Sequence, residues 1–235
     1  MTPGKPPSRR NAVDGSITHT AVWDWPVRLF HWVLVVLLTA AWVTAEAGIE
    51  YMHWHMRCGY AVLVLLVFRV LWGVVGSTSA RFGSFVRGPR TVWAYAKSWL
   101  SRHPQHYLGH NPLGGWMVLM LLLLVAVQAG TGLFANDDIF NEGPLAGLVS
   151  AAASGLLTAV HKFNFNLLLG AVGLHVAAVL LYLWRGDNLL KAMFTGRKPA
   201  DDYQDRAGPT APGWLAVLCL AVAAIAVWAL VELPG

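Results

Sequence analysis

Charge is what this sequence has least of. Only 12% of its 235 residues are Asp, Glu, Lys or Arg, 56% are hydrophobic, and the mean hydropathy is +0.51. A water-soluble domain carries roughly 25% charged residues, so the chain has too few to cover an aqueous surface. Cysteine is nearly as scarce: there are two, Cys58 and Cys219. Neither lies in a Cys-x-x-Cys pair, which leaves an iron–sulfur cluster or a thiolate zinc site without ligands. The lack of Cys-x-x-Cys-His likewise excludes covalent haem attachment, and both cysteines read as small apolar fillers. The net charge of +5 and pI near 9.5 do not point to nucleic acid. The basic residues flank apolar runs instead of sharing a face, as topology determinants do. The Pro- and Ser-rich start has no apolar core, so it is not a cleaved signal peptide; residues 1–21 read as a disordered cytoplasmic tail.

What is present is a series of long apolar runs. A membrane span needs about 20 such residues, and five segments qualify: 27–48, 56–75, 113–134, 163–184 and 213–233. All should be helices, because lipid offers no partner to an unpaired backbone group. The expected fold is therefore all-α, an integral membrane helical bundle. Lys5, Arg9, Arg10 and Arg28 precede or open the first span. Arg81, Arg87, Arg90, Lys97 and Arg102 follow the second, and Arg185, Lys191, Arg197, Lys198 and Arg206 follow the fourth. That puts 14 of the 17 basic residues on one side. The opposite loops hold Glu46, Glu50, Asp137, Asp138 and Glu142 against Arg57 and Lys162. The positive-inside rule then places the N-terminus in the cytoplasm and the C-terminus outside. Residues 85–101 mix aromatic and basic side chains, as an interfacial helix does. Residues 144–158 read as a short helix on the outer surface. Tryptophans at the span ends form an interfacial belt.

Four of the nine histidines stand apart. His19, His103, His106 and His110 lie in polar segments and read as solvated. His31 and His175 lie within spans, and His55 and His161 at span mouths, where ionisable groups are costly and mark function. His161 and His175 are 14 residues apart on one helix. At about 100° and 1.5 Å per residue, both face the same way, about 21 Å apart along the axis. Each then meets a partner at its own depth: His175 meets His31 in the inner half, and His161 meets His55 in the outer half. Two opposed imidazoles supply the two axial ligands of a six-coordinate haem iron, an arrangement suited to electron transfer. Zinc or copper needs three or four ligands at one depth. His53 competes with His55 as outer ligand; His55 is favoured because Gly59, one turn on, lets a flat macrocycle approach the backbone.

These residues sit in stretches that resemble the bacterial cytochrome b561 and nickel–iron hydrogenase cytochrome b family. The matching stretches are VWDWPVRLFHW (22–32), HMRCGY with FRVLWG (55–60, 68–73), YLGHNPLGG (107–115), TGLFANDD (131–138), and HKFNFNLLLGAVGLH with RGD (161–175, 185–187). The resemblance implies a four-helix core, residues 22–198, with two non-covalent haems b. By position, His31 and His175 would hold one and His55 and His161 the other. It also implies a place in the bacterial inner membrane and electron exchange between the quinone pool and an outer-side (periplasmic) redox protein. That partner would be a c-type cytochrome, a hydrogenase or another dehydrogenase. The expected remainder is a cytoplasmic linker, 199–212, and an additional transmembrane helix, 213–235.

Other polar residues carry open alternatives. Arg69, inside the second span, pairs with a haem propionate or with a carbonyl or Asp. Arg57, beside His55, pairs with an outer propionate or is an interfacial cation. Arg28 and Asp24 pair with each other or line a quinone pocket near the inner haem. Gln128 and Thr131 read as helix linkers, and Asn164 and Asn166 as helix-end polarity, or one of them as a hydrogen-bond partner of a ligand or a quinone. Two rival functions remain. One is a stand-alone cytochrome oxidising a small anion such as superoxide, which the acidic outer loops disfavour. The other is a non-redox transporter or anchor, which the unbroken apolar spans disfavour.

Overall fold

The computed structural model describes residues 19–99, 106–137, 140–200, 203, 205 and 207–233. Among these, five helices are long and apolar enough to cross a membrane. They are α1 (Trp25–Glu46), α2 (Met52–Val75), α5 (Pro112–Gly132), α6 (Ala151–Trp184) and α8 (Gly213–Glu232). Three short helices lie between them: α3 (Phe82–Phe85), α4 (Pro89–Trp99) and α7 (Leu189–Thr195). α4 falls within the stretch expected at the interface. The chain is a multi-pass inner-membrane protein built as an all-α bundle.

The long helices begin where capping chemistry allows. Asp24 accepts from Val27 N at 3.0 Å ahead of Pro26, and Asn111 accepts from Gly114 N at 2.8 Å ahead of Pro112. Each side chain satisfies a backbone donor left over at a helix start, and proline has no donor to lose there. Ser150 caps α6 in the same way.

α6 departs from the expected pattern. The surface helix expected over 144–158 and the fourth span are not separate. A single 3-10 turn at Ala146–Leu148 leads straight into one 34-residue helix. Ser154 and Thr158, in the stretch read as too Gly- and Ser-rich to span, bond to the preceding loop. Ser154 Oγ donates to the Phe134 carbonyl at 2.8 Å, and Thr158 Oγ1 accepts from Asn136 N at 3.1 Å. At about 1.5 Å per residue the helix is about 51 Å long, well beyond the roughly 30 Å of a bilayer core. The loop folds tightly because Gly143 N bonds to the Ala135 carbonyl at 2.7 Å; a Cβ at Gly143 would lie 2.3 Å from the Leu133 oxygen.

α2 is the centre of the bundle. It packs on α1, α5 and α8, whereas α6 packs along α5 and stands off from α1 and α2. Its buried side chains include Val62, Leu66, Phe68 and Trp72. α8 meets the bundle through Ala216, Cys219, Ala223 and Val227, a stripe of one side chain per turn whose small members let the backbones approach. Cys219 is thus a buried filler, while Cys58 is part-buried.

Of the tail expected over 1–21, residues 1–18 lie outside the described residues. His19–Ala21 do not follow the expected disorder. They form β1, which pairs antiparallel with β2 (Arg197–Pro199), with Thr20 opposite Lys198. Their backbone groups find partners in a strand that arrives from beyond α7. Gly196, at φ +73°, ends α7 in the left-handed region, with Trp23 O and the Arg28 side chain where a Cβ would go. The expected linker, 199–212, is also bound down. The Asp205 carboxylate accepts from Leu108 N and Gly109 N, and Ala211 N donates to Ser77 Oγ.

Ala223 is 0% exposed against α2. Ala223→Leu should lower stability by about 1–3 kcal/mol through overpacking, while Ile225→Leu on the exposed face of α8 should leave it unchanged. Thermal unfolding in detergent measures both.

Candidate functional site

The four histidines expected to act together come together as two pairs. His31, in the second turn of α1, faces His175 of α6 with ring centroids 6.5 Å apart and planes 55° apart. His55, in the first turn of α2, faces His161 of α6 at 6.1 Å and 80°. α6 contributes one ring to each pair. The pairs lie at opposite ends of the bundle, the first at the arginine-rich end and the second at the end that carries Glu46 and Glu50. His53 is not part of either. Its Nδ1 donates to the Glu50 carbonyl at 3.0 Å, and its ring lies beside Trp54.

The His55–His161 pair has well-defined partners. His55 Nδ1 donates to the Ala41 carbonyl of α1 at 2.8 Å, and His161 Nδ1 to the Gln128 carbonyl of α5 at 2.8 Å. A carbonyl only accepts, so the proton sits on Nδ1 in both rings and Nε2 carries the lone pair. The Gln128 side chain donates to that lone pair on His161 at 3.0 Å, and Thr131 Oγ1 lies 3.4 Å from Nδ1. Asn164, one turn beyond His161 and 4% exposed, donates to Gln128 Oε1 at 2.7 Å and to the Leu124 carbonyl at 2.9 Å. Asn164 was read from sequence as helix-end polarity; it is an α5–α6 bolt. No periodicity marks it, because its value comes from what α5 presents. Asn166, by contrast, is exposed and bonds only back to its own helix at the Lys162 carbonyl.

The His31–His175 end differs. His31 Nδ1 is buried with no acceptor among the described residues. So are Trp23 Nε1, Arg28 Nε, Trp32 Nε1, Arg69 Nη1 and His110 Nδ1. All six atoms sit where α1 begins, α2 ends and α5 begins, and the four of Trp and Arg are donors. Buried donors are normally satisfied, so the concentration marks a place for acceptors. Arg69 is 3% exposed, with its guanidinium 4.6 Å above the Phe82 ring. The expected pairing of Arg28 with Asp24 is not made. Asp24 is used by Val27 N and by Trp72 Nε1 at 2.9 Å, and Arg28 reaches the Phe194 carbonyl. Arg57 is exposed and lies over Trp54, 5.1 Å from the ring centroid.

His110 is a second residue misread from sequence. It is part-buried, packed between Trp23 and Phe85 at centroid distances of 5.7 and 4.8 Å. Burial first, and the Arg69 guanidinium second, push its pKa down to about 4. The clue was its place directly before the α5 cap, Asn111.

The residues fit a flat, iron-bearing group at each pair. A direct hydrogen bond would bring facing ring nitrogens to about 3 Å, whereas a metal ion held at about 2 Å by each keeps them about 4 Å apart. Because a ring nitrogen lies about 1 Å from its ring centre, the observed 6.1 and 6.5 Å between centres suit the second case. At His161 the ion would displace the Gln128 amide from Nε2. A Cβ built at Gly59, Gly170 or Gly173 would meet no other atom within 4 Å. Among the described residues, no three His, Cys, Asp or Glu side chains converge as a zinc site would need. Two open depressions beside α4 and α3, about 390 and 550 Å³, are lined by no histidine.

Comparison with known proteins decides the family. The model of prokaryotic cytochrome b561 matches residues 22–196. The chain belongs to the prokaryotic cytochrome b561 family. It is 32% identical over 149 residues to a protein of Rhizobium leguminosarum bv. viciae named as a probable Ni/Fe-hydrogenase B-type cytochrome subunit, covering 52% of this chain and 60% of that one. A protein of the same name from Azotobacter vinelandii is 28% identical over 151 residues, covering 54% and 61%. An Escherichia coli K12 protein named as a probable Ni/Fe-hydrogenase 1 B-type cytochrome subunit is 26% identical over 141 residues, covering 48% and 60%. The chain thus spans about three-fifths of the length of these relatives. No solved structure matches it. The b561 match takes in α1, α2, α5, α6 and all four paired histidines, and ends before α8.

His110 gives this cytochrome a pH-dependent contribution to stability. Its folded pKa lies below the unfolded value of 6.5, so the unfolded chain binds the extra proton. Stability should fall as the pH drops from about 6.5 towards 4. His110→Phe should flatten that dependence in detergent melts taken between pH 7 and 4.5.

Proposed function

We propose that this chain is a membrane dihaem cytochrome b that passes electrons between a redox protein at the outer, periplasmic face and the membrane quinone pool. The single observation that carries the reading is the pair of imidazole pairs, both closed by α6 at heights set by its own rise. His31 with His175 would hold one haem b and His55 with His161 the other. When bound, each haem would supply a one-electron couple.

The remaining residues act by holding and shielding. Ala41 and Gln128 fix the rings of His55 and His161 through their carbonyls, and such partners orient a ligand and set its basicity. Arg69, buried with a free Nη1, is suited to a haem carboxylate at the arginine-rich end. Arg57, exposed over Trp54, would take the corresponding role at the other end. The apolar side chains of α1, α2, α5 and α6 exclude water from the gap between them. Positive-inside logic puts the arginine-rich end, and the N-terminus, in the cytoplasm. The outer face then carries Glu46, Glu50, Asp137 and Glu142 together with the overshoot of α6, a surface suited to a protein partner. The names of the curated relatives make a nickel–iron hydrogenase the first partner to test.

Purified chain should show b-type bands in a dithionite-reduced minus oxidised spectrum, with two haems per chain by pyridine haemochrome. His175→Ala should retain about one haem, and His53→Ala should retain two. Haem-free protein from cells supplied with haem would rule out the cytochrome reading and return the fold to transport or anchoring. Loss of a haem on changing His53 would overturn the choice of His55.

A further inference from the structure

Two connections close the arginine-rich end of the bundle, and they carry charge differently. Residues 76–111, between α2 and α5, hold Arg81, Arg87, Arg90, Lys97 and Arg102 and no acidic residue. Residues 185–212, between α6 and α8, also hold five basic residues, but Asp187, Asp201, Asp202 and Asp205 lie among them. Orientation in a membrane is set by Lys and Arg, and acidic residues count for little there. Both connections therefore serve topology equally well, and the exclusion of acid from the first has another cause. An anionic ligand supplies one, because a nearby carboxylate would repel it.

α4 presents part of that charge on one face. Tyr95, 4% exposed, turns inward and meets the Tyr182 hydroxyl at 3.0 Å. Asn111, the α5 cap, donates to the same hydroxyl at 2.8 Å, so α4 is tied to the end of α6 and the start of α5. With Tyr95 fixed inside, helical spacing puts Arg90, Trp93, Ala94 and Lys97 on the opposite face, and all four are exposed. Trp93 is 66% exposed, and Lys97 Nζ lies 5.4 Å from its ring centre. Arg90 also lines a depression of about 390 Å³ that continues over Thr91, Ala94, Tyr95, Ser98 and Tyr107. Neither Arg90 nor Lys97 pairs with a carboxylate among the described residues. An indole between two cations matches the layering of a lipid headgroup region. The ring favours the boundary between headgroup and acyl chain, and the cations reach the phosphate.

We propose that the outward face of α4, with the depression beside it, binds the phosphodiester headgroup of an anionic phospholipid such as phosphatidylglycerol. Arg90 and Lys97 donate charge-assisted hydrogen bonds to the phosphate, and Trp93 seats against the glycerol and the upper acyl chain. Because α4 is tied to α5 and α6 through Tyr95, Tyr182 and Asn111, the bound lipid braces the end of the bundle where His31 and His175 meet. A ligand that binds only the folded chain raises its stability by mass action. Binding of this lipid requires neither haem nor a protein partner.

Thermal melts of the full chain in a non-ionic detergent, with phosphatidylglycerol or phosphatidylcholine added, test the proposal. Phosphatidylglycerol should raise the midpoint more than phosphatidylcholine, and native mass spectrometry should find it retained in preference. Arg90→Gln with Lys97→Gln should weaken that preference about fivefold for each cation lost, about 25-fold together. Lys191→Gln with Arg197→Gln, the same change of charge on the other connection, should leave it intact. An equal response to the two lipids, or an equal loss in the two double variants, overturns the site. Glycerol phosphate, a soluble carrier of the same group, should stabilise far less; if it matches the lipid, the ligand is a free phosphate ester and the lipid assignment fails. Should the Arg90→Gln and Lys97→Gln chain not fold, brominated phosphatidylglycerol decides. It should quench the wild type more than Trp93→Phe, by a margin that brominated phosphatidylcholine does not reproduce, and the lack of that margin overturns the proposal. Haem content is read separately, so the cytochrome reading stands or falls on its own.

Discussion

The structure depends on the spacing of two imidazoles along one helix. His161 and His175, 14 residues apart on α6, project to one side because that spacing is close to four turns. Everything else answers to that fact. α1 must bring His31 to the height of His175, and α2 must bring His55 to the height of His161. Since α1 and α2 run in opposite directions, a histidine near the start of each lands at opposite ends of the bundle. α6 also has to stand away from the backbones of both helices, and among the long helices it packs chiefly along α5. A bundle that closed fully around α6 would bury more surface but leave no room between the rings.

Two kinds of polar chemistry keep that gap open in register. At one end, Asn164, Gln128 and Thr131 form a satisfied network inside an apolar bundle. Such groups have no water to turn to, so the geometry that satisfies them is strongly selected. At the other end the buried nitrogens of Trp23, Arg28, His31, Trp32, Arg69 and His110 gather without a partner among the described residues. The α4 stretch, β1–β2, the 107–111 segment and the Asp205 contacts then close the arginine-rich end. There Lys198, 3% exposed, pairs with Asp187 at 2.9 Å.

α6 also reaches beyond what a span requires. Its first turns are held by the 133–145 loop through Ser154 and Thr158, so the overshoot is a braced extension, not a frayed end. α8 contributes differently. Its small-residue stripe lies against α2, and its remaining sides are apolar and exposed.

The sequence by itself determined the number of spans, the all-α class, the end at which basic residues gather and the four histidines that pair. These follow from composition and helical periodicity, which act locally and survive any choice of neighbour. It also carried the family, through motifs in a set order. Only the tertiary structure decided what each polar side chain meets. It separated His55 from His53, turned Asn164 from a helix-end residue into a bolt, and buried the Nδ1 of His110, which sequence placed in solvent. It denied Asp24 to Arg28, drew His19–Ala21 out of the expected tail, and joined 151–158 to the fourth span. The reason is common to all of them. A hydrogen bond depends on a partner tens of residues away, and its position is set by how the helices pack, not by the pattern along any one of them.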